Sequence, residues 1–255
     1  MSGHSKWATI KHKKGAADKA RGKLFAKLIR QVEVAAREGG GDTDTNPTLR
    51  TMFQKARENS VPIDTIDRAI KRGTGELEGV HYEQISYEGY APSGVAVIVE
   101  CLTDNRNRTG SDIRSTFSKN GGSLAEPGAV SWQFNRKGVV LLPRTKPGGG
   151  EITEDDLMVA ALDHGAEDIE GTGDHWQVTS APGDVTAVRD ALAEAGFPID
   201  SAETTMLAEN LVPLDNEGDA RKVLRLIDLL EDYDDVQNVY ANFDIPDAII
   251  EVVGA

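Results

Sequence analysis

At 255 residues the chain exceeds the span of one ordinary domain, and 39 % hydrophobic residues with 26 glycines describe a globular protein, not a disordered one. The single cysteine, Cys101, excludes an internal disulfide and lacks partners for a zinc site, which points to a reducing, cytoplasmic compartment. The formal net charge of -14 hides a division: residues 1–72 carry a net +8 and residues 73–255 a net -22. Such asymmetry reads as a basic module for a polyanion, joined to acidic domains that bare phosphate would repel.

The start has charges but no apolar run after them, so it is not a secretory signal, though its acid-poor, Lys-rich character leaves an organelle presequence as an alternative. Nowhere do about eighteen apolar residues run together, which argues against a membrane span. "GHSKWATIKHKK" mixes Lys6, Lys11, Lys13 and Lys14 with His4, Trp7 and His12 among small residues. It reads as a flexible arm, residues 1–16, whose cations meet phosphates. Trp7 either stacks on an exposed base or anchors the arm on its own domain. Two histidines without acidic or cysteine neighbours do not make a metal site.

From Ala17 to Glu38 the pattern is one helix, stopped by Gly39, Gly40 and Gly41. Leu24, Phe25, Leu28, Ile29, Val32 and Ala36 share one side. Lys19, Lys23, Lys27, Arg30 and Arg37 fall opposite, within about 80° of arc, as a stripe that lies along a phosphate backbone or faces water. Asn46 then caps a helix starting at Pro47, and Pro62 opens another with Ile63, Ile66 and Ile70 inward, Arg68, Lys71 and Arg72 outward, and Gly73 as its stop. Residues 17–78 thus form a small helical domain.

Beyond Gly79 the period changes. "YEGYAPSGVAVIVECLTD" reads as strand, turn and a buried strand from Val95 to Leu102, in which Cys101 is a small buried hydrophobe. "DNRNRTGSDIR" reads as a polar loop before a helix from about residue 110, and Asn105, Arg106 and Arg108 make it a second candidate contact for RNA or a phosphate, with turn formation the competing reading. "AVSWQF" returns as a strand. Next come a strand at "GVVLLP", a helix capped by Thr153 and Asp156, a hairpin at "AEDIEG" and "HWQVTS", a helix over 183–195 and a strand near 199–206. That order is the ferredoxin-like βαββαβ pattern. "ENLVPL", a helix over 217–231 and "VQNVYANFDI" complete the layer begun before it. The expected fold class is α+β: a three-helix domain plus two ferredoxin-like layers, residues 136–204 inserted into a middle domain of 79–135 and 205–255.

No Walker loop, GxSxG, HExxH or paired CxxC occurs, so catalysis, a cofactor and a small-molecule substrate are not expected. The run Glu154, Asp155 and Asp156 would suit a metal-dependent nuclease, but acidic residues in a first helical turn have a simpler explanation in the helix dipole. A pure protein-interaction module is the third class. The acidic inserted domain is expected to face basic protein partners or solvent.

"MSGHSKWATIKHKKGAADKARGKLFAKLIR", "YEGYAPSGVAVIVECLTDNRNRT" and "GGSLAEPGAVSWQF" together resemble the signatures of the YebC/PmpR family, with Gln31 where that pattern carries a charged residue. The resemblance spans the chain. It implies a three-domain cytoplasmic protein, often a DNA-binding transcriptional regulator. Organelle relatives resemble translational activators of a mitochondrially encoded oxidase subunit, and some bacterial members resemble ribosome-associated factors that relieve stalling. The partner it implies is therefore nucleic acid, either DNA or ribosomal RNA.

Overall fold

The computed structural model describes residues 17–172 and 174–253. Helix α1 (Ala17–Gly39) is 23 residues long and packs on α2 (Pro47–Glu58) and α3 (Ile63–Thr74) around Leu28, Val32, Leu49, Ala56, Ile66 and Ala69. Asn46 caps α2 as expected, its side-chain oxygen accepting the Leu49 N–H at 3.0 Å. Gly73 is not the stop of α3. It lies inside the helix, where a Cβ would collide with the Glu33 carbonyl of α1, so it sets how closely the two helices approach. Gly75, at φ 85°, ends the helix in the left-handed conformation that favours glycine.

Three further expectations fail here for the same reason: a helical period assigns faces but not neighbours. Ile63 is 47 % exposed and Leu24 39 % exposed, because none of the described elements covers either position. Arg72 does not point outward; its Nε donates to Glu33 Oε2 at 2.9 Å and neutralises a buried carboxylate.

Among the described residues, two antiparallel four-stranded sheets follow. The middle sheet has the order β3-β1-β2-β9, from β1 (Glu83–Tyr90), β2 (Ala96–Thr103), β3 (Ser123–Leu124) and β9 (Val236–Ala241). Helices α4 (Arg106–Lys119) and α7 (Glu217–Glu231) cover one face, burying Val97, Val99 and Cys101 against Ile113, Phe117, Val223 and Ile227. β2 pairs with β9, Val97 opposite Ala241, although about 130 residues separate them. Burial and the nearby Asp235 charge push the Cys101 thiol up to about 12, so it is a neutral core side chain.

The second sheet has the order β5-β6-β4-β7, from β4 (Phe134–Pro143), β5 (Ala166–Thr172), β6 (His175–Ser180) and β7 (Ser201–Ala208), with α5 (Glu154–Ala161) and α6 (Val185–Glu194) as its helices. This is the ferredoxin-like order, all between β3 and β9 in the chain. The middle sheet has the same layout reached in a different chain order, its central hairpin coming first. The strand β8 (Val212–Pro213) pairs in parallel with β10 (Phe243–Asp244), and α8 (Asp247–Val253) closes the described chain. "ENLVPL" thus supplies two strand residues only, and α8 had no sequence signal.

Residues 129–133 do not form the expected strand start; Ser131–Gln133 is a turn of 3-10 helix. Glu88 causes this. Its buried carboxylate accepts the N–H groups of Gly128 at 2.7 Å, Val130 at 2.7 Å and Ser131 at 2.8 Å, which bends the chain over the outer face of the middle sheet. Val130 and Phe134 then pack on Ala96, Ile98 and Tyr240, with Met206 and Ala208 of β7 alongside. Burial raises the Glu88 pKa, but the three backbone donors outweigh it and the net shift is downward. The stabilisation is therefore present above the ordinary glutamate range and is lost as pH falls through the lowered native value. Glu88→Gln should lower stability by about 1–3 kcal/mol at neutral pH and flatten the acid limb of the pH–stability curve, read by thermal melting.

Candidate nucleic-acid interface

The basic stripe is built by α1, and the structure shows what it faces. Lys23 Nζ donates to the Asp232 carbonyl at 2.9 Å and to the Asp232 carboxylate; Lys27 Nζ donates to the Glu231 carbonyl at 2.9 Å. Arg30 Nη1 reaches the Asp234 carbonyl at 2.6 Å and Asp235 Oδ1 at 3.0 Å, and its guanidinium lies over the Tyr82 ring, 5.4 Å from the centroid. All three cations meet the end of α7. The last carbonyls of a helix have no partners within it and carry the negative end of its dipole, so three cations spaced by one helical turn suit them. In the structure the chain's own oxygens meet this face. Lys19 is in α1 but its side chain lies outside the described part, as do Lys6, Trp7, Lys11, His12, Lys13 and Lys14 altogether.

Residues 106–109, expected as loop, are helix instead. α4 begins at Arg106 because Asn105 caps it, its Oδ1 accepting the Arg108 N–H at 3.0 Å. A first turn of Arg, Asn and Arg shows no apolar period, which is why periodicity missed it. Arg108 Nη2 lies 2.8 Å from Asp104 Oδ1 and 2.8 Å from Asp235 Oδ2. Arg106 is 65 % exposed at its side chain, with only a 3.8 Å approach to Glu83. Of the three residues, Asn105 and Arg108 are held by the fold, and Arg106 is open to solvent.

Asp235 gathers both groups. It accepts from Arg108, from Thr109 Oγ1 at 2.8 Å, from Thr103 Oγ1 at 3.3 Å and from Arg30, with 13 % of its side chain exposed. Burial pushes its pKa up, yet Arg108, Thr109 and Arg30 outweigh this and hold it below the usual aspartate value. A signal for it was legible: "EDYDD" at residues 231–235 places four acids at a helix end, where the dipole disfavours them unless cations come from elsewhere.

Other cations are open. Lys55 and Arg57 in the last turn of α2, Arg68 and Lys71 on α3, and Arg114 and Lys119 on α4 are exposed and carry no ion pair among the described residues. Sequence reasoning left Lys55 and Arg57 unmentioned as contacts. In the acidic run of the second sheet, Asp156 closes a capping box with Thr153, whose hydroxyl and backbone lower its pKa. Among the described residues no three His, Cys, Asp or Glu side chains converge on a metal position, and no helix is long and apolar enough to cross a membrane.

Fold and interface together define a three-part α+β protein whose cationic helical module is docked on a ferredoxin-like layer. Residues 5–76 match the family described as "TACO1/YebC protein N-terminal domain" and residues 82–243 that described as "TACO1/YebC second and third domain". The chain belongs to the TACO1/YebC family. A relative from Thermobifida fusca, named "Probable transcriptional regulatory protein", is 58 % identical over 251 residues, 98 % of each chain. One of the same name from Salinispora arenicola is 56 % identical over the whole of both. A crystal structure of a conserved hypothetical protein of Aquifex aeolicus is similar with a TM-score of 0.77 at 44 % identity, covering 90 % of this chain and 93 % of that one.

Arg30→Gln and Asp235→Asn should each destabilise the chain, and the double variant should lose less than their sum, by about 1–2 kcal/mol in a double-mutant cycle. Because the native pKa of Asp235 is depressed, the wild-type contribution is full above the aspartate range and fades as pH falls below it. Melting curves of the four forms at neutral and acid pH check this; additivity at neutral pH would contradict it.

Proposed function

We propose that the chain is a nucleic-acid-binding regulator of gene expression, acting on DNA in the cytoplasm without catalysing a reaction. The observation that carries this reading is the charge division, +8 over residues 1–72 against -22 over the rest, within a family whose relatives carry the name "Probable transcriptional regulatory protein". A polyanion binds such a chain at one end and is repelled from the other. The reading divides the chain into an arm at 1–16, a helical domain at 17–78, a middle domain at 79–135 and 205–255, and an inserted domain at 136–204.

Contact in this reading begins with the arm cations Lys6, Lys11, Lys13 and Lys14 and with Lys19, Trp7 and His12 beside them. The exposed Lys55, Arg57, Arg68 and Lys71 extend the surface, since they carry no ion pair among the described residues. Arg106 is a further contact, whereas Asn105 and Arg108 serve it by fixing the start of α4. Lys23, Lys27 and Arg30 are engaged within the chain.

Each phosphate neutralised releases counterions, so replacing Lys6, Lys11, Lys13 and Lys14 by Gln should flatten the salt dependence of binding to a short DNA duplex by about three units of log–log slope. Circular dichroism separates lost binding from lost fold. Unchanged affinity and slope would contradict the arm as the contact. Crosslinking in cells followed by sequencing should recover promoter DNA; enrichment of ribosomal RNA instead would assign the chain to translation.

A further inference from the structure

Lys23, Lys27 and Arg30 stand at i, i+4 and i+7 on one line of α1, spanning about 10 Å of helix axis. Over that length one strand of B-DNA presents about three phosphates. In the structure each cation instead has an oxygen of residues 231–235: two helix-end carbonyls, the Asp234 carbonyl, and the carboxylates of Asp232 and Asp235. These acceptors share the chemistry of a phosphate backbone, a row of negative oxygens that take charge-assisted hydrogen bonds.

The joint is also built to come apart. The helical bundle has a core of its own, centred on Val32, Leu49 and Ile66, that shares no residue with the core beneath the middle sheet. Between the two lies a seam of mixed polar and apolar lining that leaves space unfilled. An open groove of about 170 Å³ lies between Gln31, Val34 and Met52 on one side and Gln84, Glu100 and Gln237 on the other. Gln31 Nε2 donates to Gln237 Oε1 at 3.2 Å, while Gln31 Oε1 and Gln237 Nε2 have no protein partner among the described residues. The cation row is the charged part of what holds the helical domain to the middle layer, and salt or competing anions weaken such pairs.

We propose that residues 231–235 are an internal competitor for the cation row: they mask Lys23, Lys27 and Arg30 until nucleic acid displaces them and frees the helical domain from the middle layer. This rests on the nucleic-acid-binding reading and adds regulation to it. The row is a second contact, reached after the arm has engaged and unavailable while the joint is closed. Reciprocity follows, since whatever opens the joint raises affinity for the polyanion by the same factor that the polyanion favours opening.

The test uses the full chain and a short DNA duplex. Removing the competitor's charge with Asp232→Asn and Asp235→Asn leaves every cation in place. Affinity should rise severalfold, and the salt dependence should steepen by roughly 0.7–0.9 units for each of the two cations released, Lys23 and Arg30, about 1.5 units in total. Since Asp235 also holds Arg108 and Thr109, Asp232→Asn alone is the second variant, with one cation's worth of steepening. A third measurement needs no variant: hydrogen exchange at residues 231–236 of the wild-type chain should rise when duplex is added. Equal or weaker binding by folded variants, or exchange that does not change, overturns the proposal. A chain that binds duplex in none of these forms overturns the nucleic-acid reading and this inference with it, whereas binding that ignores the carboxylates overturns this inference alone.

Discussion

The end of helix α7 is where the molecule's opposing charges meet. Four acids and the unpaired carbonyls of a helix terminus would repel one another if left alone, and they are stable there because α1 brings Lys23, Lys27 and Arg30 and α4 brings Arg108 to the same few residues. Asp235 bonds to both helices at once, so the position of the basic helical domain and the start of α4 depend on one carboxylate. An acidic protein can thereby carry a basic end without folding back on itself at random: the neutralising contact is a defined one.

The rest of the fold serves that placement. The middle sheet positions residues 231–235 because β9 must reach across to pair with β2, which brings the end of α7 to the edge where α1 passes. Glu88 performs a comparable service on the opposite face, where a buried carboxylate bonded by three backbone N–H groups turns the chain into the inserted layer. In both places an acid does structural work in a chain whose net charge would suggest it had acids to spare. The cations on α2 and α3 stay exposed outside this economy, with no ion pair among the described residues.

Much of this was legible. The helices at 17–39 and 217–231, the Thr153–Asp156 capping box and the βαββαβ order of the inserted layer follow from local pattern, because apolar period and cap chemistry act within a few residues. What sequence left hidden depends on contact across the chain. The polar side of α1 was visible, but period says which side is polar and not what faces it. Asn105 to Arg108 looked like a loop, since the reason for helix there is a cap and an aspartate more than 120 residues away. Glu88 sat in a strand with nothing local to mark it as buried, and Gly73 looked like a stop because only the neighbouring helix reveals it as a crossing point.

The docked stripe is the claim on which the account stands, and zero-length carbodiimide crosslinking of the full chain, read by mass spectrometry, tests it directly. An amide between Lys23 and Asp232 should form at low salt and fade at high salt, alongside one between Lys137 and Glu167 within the inserted layer, whose side chains lie 2.6 Å apart. Recovery of the Lys137–Glu167 product with no Lys23–Asp232 product at any ionic strength would contradict the account, because the basic face of α1 would then be open in solution.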